Sequence, residues 1–154
     1  MRLVIRSKHH RILQKILNRK GRNPIIFYTS DLHLGHSNII RLCERPFTDV
    51  YEMDEALIER WNQKVTNGDS VYILGDLMFR NEIPPEEYLC RLKGRKHLIV
   101  GNHDRDWMKR CDLSQWFESV NNLHYIVDHG RQLTLCHYPT LATSCEELTY
   151  WKRL

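Results

Sequence analysis

The chain has 154 residues, of which 42% are hydrophobic and 27% charged, and a net charge of +4. That suits one globular domain burying roughly 70% of the surface its unfolded chain exposes, and it argues against disorder throughout. No apolar run approaches the roughly 20 residues that a membrane-spanning helix needs.

The charge is uneven. Eight of the 23 Lys/Arg residues lie within residues 1–24, which hold no Asp or Glu, so the body carries 15 basic against 19 acidic residues. In this arm Ile5, Ile12, Leu13, Ile16 and Leu17 fit one face of a helix over Met1–Asn23, closed by Gly21 and Pro24. It reads as a basic extension of residues 1–24, solvated unless it touches nucleic acid, an anionic membrane surface or an import system. Five cysteines (Cys43, Cys90, Cys111, Cys136 and Cys145) form an odd set with no C-x-x-C spacing, and no signal-cleavage pattern precedes them. Reduced thiols in a cytoplasmic protein are the expectation.

From Pro24 onward the pattern alternates between strand and helix. Ile25–Thr29 is a short β-prone run ending in Ser30-Asp31, and Asn38–Cys43 predicts a short helix stopped before Pro46. Met53, Leu57, Trp61 and Val65 mark an amphipathic helix over Tyr51–Val65, followed by a turn at Asn67-Gly68-Asp69. Val71–Leu74 is a buried strand leading straight into Gly75-Asp76. Pro84-Pro85-Glu86-Glu87 opens a helix with proline and acids in its first turn, and Gly94 closes it. His97–Val100 predicts a third strand running into Gly101-Asn102-His103-Asp104. His124–Val127 and Gln132–Cys136 predict two more, joined through Gly130 and ending at His137-Tyr138-Pro139. The alternation predicts an α/β fold.

The strand ends carry the chemistry. Three successive strands finish in Asp31-Leu32-His33, Gly75-Asp76 and Gly101-Asn102-His103-Asp104, and a later one in His137. Loops beyond the carboxyl ends of strands in such sheets converge, so these oxygen and imidazole donors face one spot. A carboxylate, amide and imidazole set without thiolate suits borderline to hard divalent ions. Singly, each piece has a plainer explanation: Gly-Asp as a turn, Gly-Asn-His-Asp as an Asx-type turn with a capping Asp. Their conjunction is the informative feature.

These blocks resemble the calcineurin-like metallophosphoesterase superfamily. The run Tyr28–His36, with Asn38-Ile39-Ile40, Arg45-Pro46-Phe47, Met53-Asp54-Glu55-Ala56, Val71–Asp76 and His137-Tyr138-Pro139, is similar to its small phage-type and bacterial branch, over about residues 25–140. The resemblance implies a four-layer α/β/β/α sandwich of two mixed sheets, within a domain over residues 25–154. It implies hydrolysis of a phosphomonoester or phosphodiester by a metal-bridging hydroxide, at a site of two divalent ions drawn from Mn, Fe, Zn or Ni. By the same resemblance Asp31 and His33 hold one ion, Asp76 bridges both, and Asn102 and His137 hold the other. His103 is the catalytic residue beside the metals, Asp104 a local orienter, and His36, Asn38 and Arg80 candidate contacts to substrate or supports of the site. Two cations about 3.5–4 Å apart can clamp the attacking and leaving oxygens of a phosphoryl transfer, which is why the chemistry wants this set.

One block of the resemblance is missing. The family's Gly-His-x-His does not occur, and residues 140–154 contain no His. The expectation is a C-terminally incomplete form of the fold. The alternative for the gap is that a partner chain, His124, His129 or water fills it, and the alternative to hydrolysis is a truncated or inactive relative that binds metal weakly and acts as a binding module.

Overall fold

The structure, a computed structural model, describes residues 23–139. All but the last residue of the helix read over Met1–Asn23 lies outside them, as do Cys145 and the chain after Pro139.

The elements run β1 (Ile26–Thr29), α1 (Ser37–Leu42), α2 (Val50–Lys64), β2 (Ser70–Leu74), α3 (Pro85–Leu89), β3 (Arg95–Ile99), α4 (Arg105–Met108), a 3-10 turn (Leu113–Gln115), β4 (Phe117–Asn121), β5 (Leu123–Asp128) and β6 (Arg131–Cys136). Strands β1 to β4 pair in sequence order as one parallel sheet, while β5 and β6 form a separate antiparallel hairpin. No helix among the described residues is long and apolar enough to cross a membrane.

The expected α/β architecture of the metallophosphoesterase fold is present. Its sheets differ from expectation in one respect: among the described residues neither is mixed. Each connection from β1 to β4 contains helix, which allows parallel pairing, whereas a tight turn joins β5 to β6 and forces antiparallel pairing.

Sheet β1–β4 is covered on both faces. On one, Val71, Ile73 and Leu98 pack with Ile58, Trp61 and Val65 of the α2 region, Leu89, Leu92 and Trp107. On the other, Leu74, Ile99, Tyr28 and Tyr72 meet Ile126, Leu133 and Leu135 of the hairpin. A cross-strand row, Tyr28, Tyr72, His97 and Ser119, lies within this sheet, and the Tyr28 hydroxyl donates to Asp128 on β5 at 2.9 Å. The outer face of β5 presents Tyr125 and Val127, 72% and 66% exposed. No outer helical layer covers that face among the described residues.

Helix α2 starts where its sequence tells it to. Asp49 caps it by accepting the amide of Glu52 at 2.8 Å, and the Glu52 carboxylate returns to the amide and hydroxyl of Thr48, each at 2.7 Å. The helix predicted from Pro84 to Gly94 is shorter, ending at Leu89. Side chains of α2 take the following backbone groups: Trp61 Nε1 donates to the Lys93 carbonyl, while Asn62 donates to the Arg91 carbonyl and accepts from the Lys93 amide. Those bonds compete with continuation of the helix. Strand β4 and helix α4 were absent from the sequence reading. In Phe-Glu-Ser-Val-Asn only Phe117 is buried, so this strand lacks the continuous apolar run that marks β2.

Because β1, β2 and β3 are adjacent and parallel, their carboxyl ends share one edge. The three loops singled out by sequence therefore start side by side.

Candidate metal centre

The first two loops are zipped together. The amides of Asp31, His33 and Leu34 donate to the carbonyls of Gly75, Asp76 and Leu77 at 3.0, 3.0 and 2.9 Å. Asp31, His33 and Asp76 all adopt left-handed backbone, with φ of 55°, 54° and 55°. That conformation costs an L-residue about 1–2 kcal/mol, less for Asp, and persists only where surrounding contacts over-determine it. The alternation turns the Asp31 and His33 side chains off the strand line toward the second loop.

Asp76 is the hub. It is 4% exposed, and its Oδ1 is anchored by the backbone amide of His103 at 3.0 Å. Its Oδ2 lies 3.7 Å from His33 Nε2, 3.7 Å from His137 Nε2 and 4.0 Å from His103 Nε2. Asp31 Oδ1 lies 4.0 Å from His33 Nε2, and Asn102 Oδ1 lies 2.9 Å from His137 Nε2. Ligand atoms of Asp31, Asp76 and His137 all fall within 4.8 Å of one another. All five residues to which the resemblance gave ligand roles thus converge, with His103 at the rim.

Local contacts fix the donors. His137 Nδ1 donates to the Leu74 carbonyl at 2.8 Å, which turns Nε2 toward the oxygens of Asp76 and Asn102. Burial pushes the His33 imidazole below its ordinary pKa against the opposing pull of Asp76, so it favours the neutral form a ligand needs. A Cβ on Gly75, whose φ is +84°, would collide with the His137 ring and come within 2.8 Å of Gly101 Cα. Only glycine lets β6 deliver His137 so close to the end of β2.

Asp104 does not face the cluster. Fully buried at 0% exposure, it accepts four hydrogen bonds: from the amides of Asp76 (2.9 Å), Leu77 (2.9 Å) and Gly101 (2.7 Å) and from Trp107 Nε1 (2.8 Å). It ties the second and third loops together from beneath. His36 is buried with its ring 5.5 Å from that of His33 and 4.7 Å from Phe79, and its Nδ1, like that of His33, meets no hydrogen-bond partner among the described residues. Arg80 is exposed, also left-handed, and lies over Phe79, which in turn packs on His103 at 4.1 Å. Asn38 is exposed on α1 and contacts none of the other candidates through a hydrogen bond.

Sequence reasoning gave no role to Arg45, Asp54 or Phe79. Arg45 donates to the carbonyls of Asp31 (2.7 Å) and Leu32 (2.8 Å), and Asp54 accepts the Gly35 amide on both oxygens at 3.1 Å. A signal existed for Asp54: with Ile58, Trp61 and Val65 it completes a helical stripe that is otherwise apolar.

The donor set fits divalent cations. Buried Asp76 has no Lys or Arg ion-pair partner among the described residues, while the Asp31 side chain is 56% exposed. A buried carboxylate without a basic partner is costly, and a bound cation would supply the missing charge. Carboxylate, imidazole and amide oxygen together suit Mn, Fe or Zn.

A family profile described as calcineurin-like phosphoesterase matches residues 25–152. The chain belongs to that family. Its relatives include the Gene 66 protein of Mycobacterium phage D29, 37% identical over 144 residues, covering 82% of this chain and 71% of that protein. The uncharacterized protein MJ1445 of Methanocaldococcus jannaschii is 44% identical over 82 residues, 52% of this chain and 47% of its own length. The Gene 66 protein of phage L5 is 37% identical over 81 residues, 51% of this chain and 39% of its length. The chain thus spans about half or less of two of these curated relatives. Among solved structures, the protein of unknown function AQ665 from Aquifex aeolicus aligns with a TM-score of 0.63 and 28% identity, over 82% of this chain and 67% of that one. The phage proteins agree with the small phage-type branch. Calcineurin-like phosphoesterases as a family are metal-dependent hydrolases of phosphoesters, and this chain carries its candidate metal-binding group where the strand ends meet.

Proposed function

We propose that the chain hydrolyses a phosphomonoester or phosphodiester at a site holding two divalent ions. Asp31 and His33 would hold one, Asn102 and His137 the other, and Asp76 both. The observation that carries this reading is Asp76 Oδ2, buried among three imidazole nitrogens at 3.7–4.0 Å with no Lys or Arg beside it. Bound there, divalent ions supply Lewis acidity toward phosphoryl oxygens and water.

The chain's own residues do the rest. Asn102 offers an oxygen without adding negative charge that would repel the substrate. His103, its side chain 36% exposed at the rim, is reachable by the ester and can donate a proton to the leaving oxygen. The Leu74 carbonyl orients the His137 ring so that Nε2 faces Asp76 and Asn102.

The test combines metal content with turnover of nitrophenyl phosphate mono- and diesters. Two equivalents of Mn2+ are expected, with turnover that collapses in Asp76→Asn, whereas His103→Gln retains metal but loses turnover. Undiminished turnover in metal-free protein sinks the proposal. A second reading, a binder without turnover, is favoured by the absence of Gly-His-x-His from residues 1–154. It predicts one equivalent of metal or less and no hydrolysis.

A further inference from the structure

We propose that Arg45 and Asp54 are positioning residues that clamp the left-handed first loop from the helix side and so set the geometry of Asp31 and His33. This rests on the metal reading above. Neither residue reaches the ligand cluster. Each instead holds the peptide groups on which the cluster stands.

The loop's hydrogen bonds divide between two partners. Its amides at Asp31, His33 and Leu34 go to the second loop. On the other side, the Asp31 and Leu32 carbonyls and the Gly35 amide are held from the segment linking α1 to α2 and from α2 itself. The Arg45 fork spans two successive carbonyls, Asp31 at 2.7 Å and Leu32 at 2.8 Å, with Met53 Sδ 3.4 Å from Nη1. Asp54 receives the Gly35 amide at 3.1 Å on each oxygen and is itself held by the Tyr88 hydroxyl at 2.8 Å. These contacts bracket the alternating left-handed positions Asp31, His33 and Gly35, whose φ values are 55°, 54° and 79°. Glu44, with φ 49°, is itself left-handed immediately before Arg45. Side-chain space supports the same reading at Gly35, where a Cβ would collide with Asn81.

Charge and geometry make opposite predictions here. A guanidinium next to a cation site repels the cation, so removing its charge should tighten metal binding if electrostatics dominated. If Arg45 acts by fixing the Asp31 and Leu32 peptides, removing it should loosen binding instead. Outer partners of metal ligands typically contribute about 10–100-fold in metal affinity.

The experiment titrates the full chain with Mn2+ by calorimetry, with Co2+ absorption spectra reporting ligand geometry and metal-free melting reporting the fold. Arg45→Met is expected to weaken one Mn2+ equivalent by about 10-fold or more and to change the Co2+ spectrum, leaving the equivalent at Asn102 and His137 intact. Arg45→Lys keeps the charge but cannot span both carbonyls, so it should fall between wild type and Met. Asp54→Leu should behave like Arg45→Met, and Asp54→Asn, which keeps an acceptor for the Gly35 amide, should restore most of the affinity. Tighter or unchanged Mn2+ binding in Arg45→Met overturns the clamp, as does equal loss of both equivalents. A wild-type chain that binds no Mn2+ overturns the metal reading instead.

Discussion

Replacing Asp104 by Asn changes one atom and should unsettle two loops at once. Oδ2 serves the amides of Asp76 and Gly101, and Oδ1 serves the Leu77 amide and Trp107 Nε1. Whichever way an amide turns, two donors keep an oxygen and two face an NH2 group. Hydrogen bonds to a charged acceptor are worth about 1.5–3 kcal/mol each. Losing two suggests about 3–6 kcal/mol, partly offset because a neutral amide is cheaper to bury than a carboxylate. A net loss of about 3 kcal/mol is a large part of a total stability that is roughly 5–15 kcal/mol. For a domain of this size it would lower the melting temperature by on the order of 10 °C. The assay is urea unfolding in chelator-treated buffer, followed by circular dichroism and by tryptophan fluorescence, since the Trp107 indole loses its acceptor in one amide orientation. Asp104→Ala, which leaves all four donors without an acceptor, should cost more than Asn. An Asp104→Asn midpoint shift worth less than about 1 kcal/mol, the neutral-bond average, would refute the account of Asp104 as the anchor beneath the site.

Gly75→Ala should destabilise the protein well beyond Gly130→Ala: both positions are left-handed, but a Cβ meets His137 at the first and open space at the second. Urea unfolding should give about 1 kcal/mol for the second, the backbone cost alone, and clearly more for the first. Burial lowers the His97 pKa more than Glu118 raises it, so the unfolded chain binds that proton more readily. Stability should therefore fall as pH drops through 6.5 and level off once the folded-state pKa is passed; His97→Gln should flatten that slope in pH-dependent unfolding. Saturating Mn2+ should raise the melting temperature, by the equivalent of about 2.7 kcal/mol at a hundredfold excess over Kd, and Asp76→Asn should abolish the rise.

The sheet was legible because parallel strands are buried on both faces. Val71–Leu74 and the end of β3 read as unbroken apolar runs for that reason, the first leading into Gly75-Asp76 and the second into Gly101-Asn102-His103-Asp104. Strand β3 begins two residues earlier than its apolar run suggests, at Arg95. Lys96 enters the core there by extending its stem and donating through Nζ to the Leu92 carbonyl at 2.7 Å, a use of lysine that hydropathy alone does not reveal. Strand β4 was invisible because an edge strand with one buried residue carries little apolar signal.

The site was legible as residue types and much less so as a mechanism of assembly. Asp, His and Asn at strand ends announce a cluster, since parallel topology brings any such ends together. How the backbone holds them there depends on contacts across long sequence intervals: Asp104 reaches back 28 residues to the Asp76 amide, and Arg45 reaches 14 to the Asp31 carbonyl. A charged side chain used as a ligand and one used to fix a peptide look alike in one dimension. What separates them here is direction. Asp31 and Asp76 aim oxygens at one another's imidazole partners, and buried Asp76 has no Lys or Arg ion-pair partner among the described residues, whereas Asp104 and Asp54 are satisfied by backbone amides, the Trp107 indole and the Tyr88 hydroxyl. Four aspartates of similar appearance thus divide into two that face imidazoles and two already saturated by neutral donors, and this division is what marks the strand-end cluster as a candidate metal centre in geometry as well as in composition.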